Sequence, residues 1–164
     1  MLKFFVGIAL IAFTTFCGYL LARKYRTRKD FFRQLREFND RFISEISYFR
    51  RPIEEFVAMY PYQGDFDRLL KAFFSALKSS HTNDRLLLDL SNESFLTEEE
   101  KHLVEDYFLT LGKGDSLSQK SYFSTMKERL IKLEFETETQ AKKYGDLYIK
   151  MGFLCGLLLL ILIV

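Results

Sequence analysis

The chain has 164 residues and a mass of 19.5 kDa, with 24 basic against 22 acidic side chains, a single-domain length with nearly balanced charge that excludes a large multidomain enzyme. A hydrophobic fraction of 48% with 18 Phe argues against disorder, and only 2 Pro leave little room for the tight turns of a β-sandwich. The expected class is therefore all-α. Mean hydropathy of -0.06 suits a soluble protein, but it averages two uncharged ends with a charged middle.

Phe4 to Ala22 is a run of 19 residues without charge, about 28 Å as a helix, close to the ~30 Å of a hydrocarbon core. A secretory signal would also place Lys3 before an apolar stretch. The run exceeds the usual apolar region of such a signal, no small-residue cleavage site precedes the following charges, and Phe16 before Cys17 does not suit a lipoprotein-type cysteine. An uncleaved anchor is expected.

Arg23, Lys24, Arg26, Arg28 and Lys29 follow directly. Beside a span, such a cluster speaks for topology and attraction to anionic lipid rather than for nucleic acid. Phe31, Leu35, Phe38, Phe42, Ile46 and Phe49 then advance by threes and fours, which predicts that the first helix continues outward to about residue 50. Pro52 closes it and suits the first turn of a short helix reaching about Tyr60, where its missing N–H costs nothing. Asp65 is the expected cap of a third helix whose buried face is Phe66, Leu69, Leu70, Phe73, Phe74 and Leu77. A further short helix is expected over Asn83 to Leu90.

Thr97-Glu98-Glu99-Glu100 is a capping box that opens a helix to about Leu111. Its Glu side chains are first-turn residues facing the helix dipole rather than catalytic carboxylates. Glu98, Glu99 and Glu105 nonetheless form an acidic surface that a basic partner could use. Gly112 and Gly114 break the chain, Asp115 or Ser116 caps the last helix, and Gln119 is placed to complete a Ser-x-x-Gln box.

Met126, Leu130, Leu133, Thr137, Gln140, Tyr144, Leu147 and Met151 alternate steps of four and three, a heptad seam that runs into the second apolar end. Leu147 to Val164 gives 18 residues, about 27 Å, provided that Lys150 snorkels its ammonium to the headgroups. Gly152 and Gly156 form a Gly-x-x-x-Gly pair that would let another helix approach closely.

The organisation expected is thus an N-terminal transmembrane helix (1–22), a helical bundle (23–146) and a C-terminal transmembrane helix (147–164), with the long first and last helices continuous with the spans. The basic flanks, joined by Lys142, Lys143 and Lys150, place the bundle in the cytoplasm. Thirteen of the 18 Phe fall in 23–146, a core rather than a ligand site. Residues 23–50 carry nine basic and four acidic side chains, residues 51–146 thirteen and eighteen, so the bundle has a basic membrane end and an acidic outer end.

Cys17 and Cys155 lie within the apolar ends with no Cys or His at ligand spacing. His81 and His102 are on different expected elements, and Gly112-Lys113-Gly114 lacks the rest of a phosphate loop. No catalytic residue, metal or cofactor is expected; binding and assembly remain.

Three stretches carry a family resemblance: Glu45-Ile46-Ser47-Tyr48 with Pro52-Ile53-Glu54-Glu55; Leu111-Gly112-Lys113-Gly114-Asp115 with Gln119; and the run from Lys143 to Gly156. They resemble the stage III sporulation protein AB family of endospore-forming bacteria, itself similar to the F-type platform proteins of type II secretion. In the family a residue smaller than Phe56 is expected. The resemblance implies a subunit of the channel complex joining mother cell and forespore, set in the outer forespore membrane with its bundle toward the mother-cell cytoplasm. It also implies other channel subunits and a stage III sporulation protein AA-like ATPase as partners. No catalytic residue carries over. A membrane-tethered adaptor or assembly factor outside the channel is the competing reading.

Overall fold

A computed structural model describes residues 2–49, 51–79, 90, 91, 93–111, 113 and 115–163. Its helices are α1 (Leu2–Ser44), α2 (Ile53–Met59), α3 (Gly64–Ser79), α4 (Glu98–Thr110) and α5 (Ser116–Ile163), and a π turn (Glu45–Phe49) extends α1. The described residues contain no strand. The chain divides into two compact units, one of residues 30–134 and the other of residues 1–29 with 135–164.

In the unit of residues 30–134 the core is aromatic. Phe31, Phe32, Phe38, Phe42, Phe56, Phe66, Phe73, Phe95, Phe108 and Phe123 are buried, each removal from water stabilising by about 1.5 to 3 kcal/mol. Phe38 is the hub, with Phe56 at 5.5 Å, Tyr62 and Phe66 at 5.8 Å and Tyr107 at 6.3 Å between ring centroids. Mostly edge-on or tilted, such pairs add about 0.5 to 1.5 kcal/mol beyond area alone. Phe56 is therefore not an intruder. It fills the space between Phe38 and Phe42 that a smaller residue would leave open.

One polar chain crosses this core. The Tyr107 hydroxyl donates to Asn39 Oδ1 at 3.2 Å, and Asn39 Nδ2 donates to the Phe123 carbonyl at 3.1 Å, all buried. It links α1, α4 and α5 by groups that cannot be left unpaired without a penalty of about 1 to 3 kcal/mol. Burial pushes the Tyr107 hydroxyl far above its ordinary pKa.

Local chemistry sets the boundaries. Both bonds of the Thr97 capping box form, at 2.9 Å from Thr97 N to Glu100 Oε2 and 3.4 Å from Glu100 N to Thr97 Oγ1. α3 starts at Gly64, whose φ of 62° favours glycine; Asp65 lies inside the first turn and pairs with Arg68 at 2.9 Å instead of capping. The connection before it is held by a reciprocal amide pair, Gln63 N to Gln34 Oε1 at 2.7 Å and Gln34 Nε2 to Gln63 O at 3.0 Å. Leu77 is exposed rather than part of the buried face. The helix expected over 83–90 lies outside the described residues except for Leu90, which is buried and not helical.

Phe49 also departs from the expected face and is 63% exposed. The π turn is the reason: its i→i+5 bonding absorbs one extra residue, rotating the residues beyond it by about 100° relative to a continued α-helix. Glu45 anchors that turn. Its Oε1 accepts from Arg51 N at 3.1 Å and Nε at 2.8 Å, and its Oε2 from Arg51 Nη2 at 2.7 Å. The guanidinium lies over a carboxylate only 5% exposed, and it holds the carboxyl below its ordinary pKa.

The other unit, residues 1–29 with 135–164, is an antiparallel helix pair whose closest approaches are at glycine. A Cβ on Gly152 would come within 2.6 Å of the Thr14 carbonyl oxygen, and one on Gly156 within 2.8 Å of Ile11 Cα. Gly18 lies against the Tyr148 carbonyl with no room for a Cβ, and Gly7 lies against the tip of the Leu160 side chain, which would have to turn aside for one. Tyr25 stacks on Tyr144 at 5.2 Å and on Tyr148 at 5.9 Å, and Arg28 Nη1 donates to Gln140 Oε1 at 2.6 Å.

The heptad seam drifts here. Thr137 is buried, but Leu147 and Met151 are 44% and 51% exposed, and Ala141, Gly145 and Gly156 are buried in their place. A straight helix of 3.6 residues per turn falls behind a 3.5-residue repeat by about 20° per heptad. Small residues here also draw the backbones together on a face that a search for large apolar side chains overlooks.

Candidate membrane and partner surfaces

α1 and α5 are each long and apolar enough to cross a membrane. Their most apolar windows are only 17% and 11% buried, whereas the core helix of a soluble protein would be mostly covered. The exposed side chains include Ile8, Phe13, Phe16, Leu20, Leu21, Phe153, Leu154, Leu158, Ile161 and Leu162. Exposed apolar surface of this extent is stable only against lipid or protein.

Arg23, Lys24 and Arg26 on α1 and Lys143 and Lys150 on α5 are exposed. Arg26 sits 5.7 Å from the centroid of Tyr19 and Lys143 5.4 Å from that of Tyr144. Amphipathic rings beside cations suit the boundary between an apolar layer and water. Gly152 and Gly156 face α1 of the same chain, with Gly18 and Gly7 as counterparts that a search for Gly-x-x-x-Gly spacing misses. Cys17 and Cys155 are exposed free thiols.

The acidic residues of α4 divide. Glu98 pairs with Lys101 at 2.8 Å, which lowers its carboxyl pKa. Glu105 is 27% exposed, with His102 Nδ1 at 4.0 Å. Glu99 is 89% exposed, with Arg129 at 3.9 Å. Glu98, His102 and Glu105 share one stripe by their spacing, and Glu99 lies about 100° away.

The residues of the Leu-Gly-x-x-Asp stretch build a connection. Leu111 is buried at the end of α4, with its N–H on the Phe108 carbonyl at 3.2 Å. Asp115, rather than Ser116, caps α5: its Oδ2 accepts from Leu117 N at 3.2 Å and Ser118 N at 3.3 Å, and the Ser118 hydroxyl donates to Oδ1. These bonds, the hydroxyl's first, hold the Asp115 carboxyl below its ordinary pKa. The Gln119 side chain donates to the Lys113 carbonyl at 3.0 Å and so braces the connection. Gly112 and His81 lie outside the described residues. Pro52 caps α2 with no side-chain hydrogen bond, at φ -54° and ψ 138°.

Sequence periodicity did not single out the π turn as a surface. Tyr48 is 82% exposed beside Phe49, and Met59 of α2 is also exposed, with Arg51 Nη1 at 2.7 Å from its sulfur. Among the described residues no group of three or more His, Cys, Asp and Glu could hold a metal ion.

Among curated proteins and solved structures, none matches the chain. A family model described as stage III sporulation protein AB matches residues 3–164 and so takes in both apolar helices, the aromatic-core unit and the α4–α5 connection. The chain belongs to the stage III sporulation protein AB family.

Proposed function

We propose that this sporulation protein is a two-span membrane platform subunit of the channel complex between mother cell and forespore, with its helical bundle in the mother-cell cytoplasm. The observation that carries the reading is one family match running unbroken through both apolar helices and the bundle. The basic side chains lie at the inner ends of the apolar segments, as cytoplasmic flanks do. The subunit does no chemistry of its own. It anchors, docks a secretion-type ATPase of the stage III sporulation protein AA kind, and packs against other channel subunits; nucleotide energy enters through the ATPase. Glu98 and Glu99, exposed on α4, are the acidic groups offered to that partner.

Deletion in a spore former tests the reading. A platform predicts arrest after engulfment with loss of late forespore gene expression, and an intact channel in the deletion strain would favour an adaptor outside it. Co-purification of the full-length chain with the ATPase from detergent extracts tests docking. Failure to co-purify when both are folded counts against that step.

A further inference from the structure

The helix pair of residues 1–29 and 135–164 holds an open groove of about 440 Å³ lined by Thr15 of α1 and by Ile149, Lys150, Phe153 and Leu154 of α5. Its volume is within the ~300 to 1,000 Å³ of small-ligand sites. Thr15 offers little polarity to it, since its hydroxyl already donates to the Ile11 carbonyl at 2.8 Å. The groove wall is wholly apolar: Lys150 lines it with its aliphatic stem, which carries the ammonium to the groove's edge, and among the described residues no carboxylate lies within ion-pairing distance of that ammonium.

The glycine contacts fix how deep that lysine sits. Thr14 lies level with Gly152 and Gly18 with Tyr148, so Lys150 lies level with residue 16. That is seven residues, about 10 Å, inside Arg23 along the helix axis. A lysine stem spans part of this distance by snorkelling, yet its backbone remains within the apolar layer, where an ionisable side chain marks a functional site. An apolar trough with an unpaired cation at its edge matches one class of molecule: an acyl chain bearing an anionic headgroup.

We infer that this groove binds one anionic phospholipid, its acyl chain against Phe153 and Leu154 and its phosphate on the Lys150 ammonium. The inference rests on the membrane-spanning reading of α1 and α5. The lipid would neutralise this intramembrane charge and fill the trough, completing the surface that the pair presents to other subunits.

The test uses the full-length chain in phosphatidylcholine vesicles doped with spin-labelled phosphatidylglycerol or spin-labelled phosphatidylcholine, reading the motionally restricted label. The wild type restricts phosphatidylglycerol in preference to phosphatidylcholine. Lys150→Gln weakens that preference roughly tenfold, the effect of losing one charge-assisted hydrogen bond, and Lys150→Arg restores it. Leu154→Trp fills the groove and removes the restricted component for both lipids. Lys143→Gln, outside the groove, leaves the preference in place. Inorganic phosphate does not displace the label. Preference retained in Lys150→Gln, equal loss in Lys143→Gln, or displacement by phosphate would overturn the lipid site. Carbonate washing separates the two readings: a chain that stays in the membrane without retaining the lipid sinks only this inference, and a chain that washes off sinks the membrane reading with it.

Discussion

The two units are held together by opposite choices of side chain. The unit of residues 30–134 is filled with Phe and Tyr rings, whereas in the unit of residues 1–29 and 135–164 the closest contacts are made where side chains are missing. On the proposed membrane-spanning reading of α1 and α5, solvent explains the difference. In water, burying a large ring is itself the driving force; in lipid, tails are as apolar as Leu, so helix pairing depends on close backbone contact, which glycine permits.

The sharpest way to break this contrast is to exchange the two kinds of residue. Gly18→Leu with Gly152→Leu places side chains where Tyr148 and Thr14 carbonyls already stand. We expect the helix pair to separate, read as lost disulfide cross-linking between cysteines placed at 25 and 144 in a background without native cysteines. The aromatic unit should keep its helicity. In the reverse direction, Phe38→Ala removes the hub of the aromatic core and should cost about 3 to 5 kcal/mol in urea unfolding, with that cross-link unaffected.

Smaller substitutions sharpen the comparison. Tyr107→Phe leaves Asn39 Oδ1 without its donor in a buried site and should destabilise by about 1 to 3 kcal/mol. Thr97→Ala removes one arm of the capping box, worth about 1 kcal/mol, read in the same urea titration.

The smallest effect is local and depends on pH. Arg51 holds the Glu45 carboxyl below its ordinary value of 4.5. Its contribution is fully present above that ordinary value and is lost as pH falls through the lowered folded value. Hydrogen-exchange protection of residues 45–59 should therefore fall on acidification below about pH 4.5. In Arg51→Leu it should be low throughout and insensitive to pH across that window.

Much of this architecture was legible in the residues because helices repeat every 3.6 positions and the chain is almost all helix. The Thr97 box and the run from Phe31 to Phe42 were readable for that reason. The features that escaped were set by other means. Phe49 turns outward because Glu45 and Arg51 stabilise a π turn, and a carboxylate six residues before an arginine carries no periodic signal. Gln119 serves the Lys113 carbonyl rather than the expected box, since Asp115 already caps the helix. Gly152 and Gly156 stood out by spacing, but Gly7 and Gly18 did so only once their neighbours were known. Lys150 was visible as an awkward charge; the groove beside it required both helices in register.

The glycine contacts also lock the pair against axial play. Were α5 to shift by one turn away from the start of α1, Gly156 would arrive opposite Thr14 and fit, but Leu160 would be carried from the notch at Gly7 onto Ile11, which has no recess to receive it. A slip of a single residue would bring Met151 or Phe153 against the Thr14 carbonyl. The two legs are therefore keyed like a ratchet with its pawl down, and any axial motion imposed on one must be shared by the other.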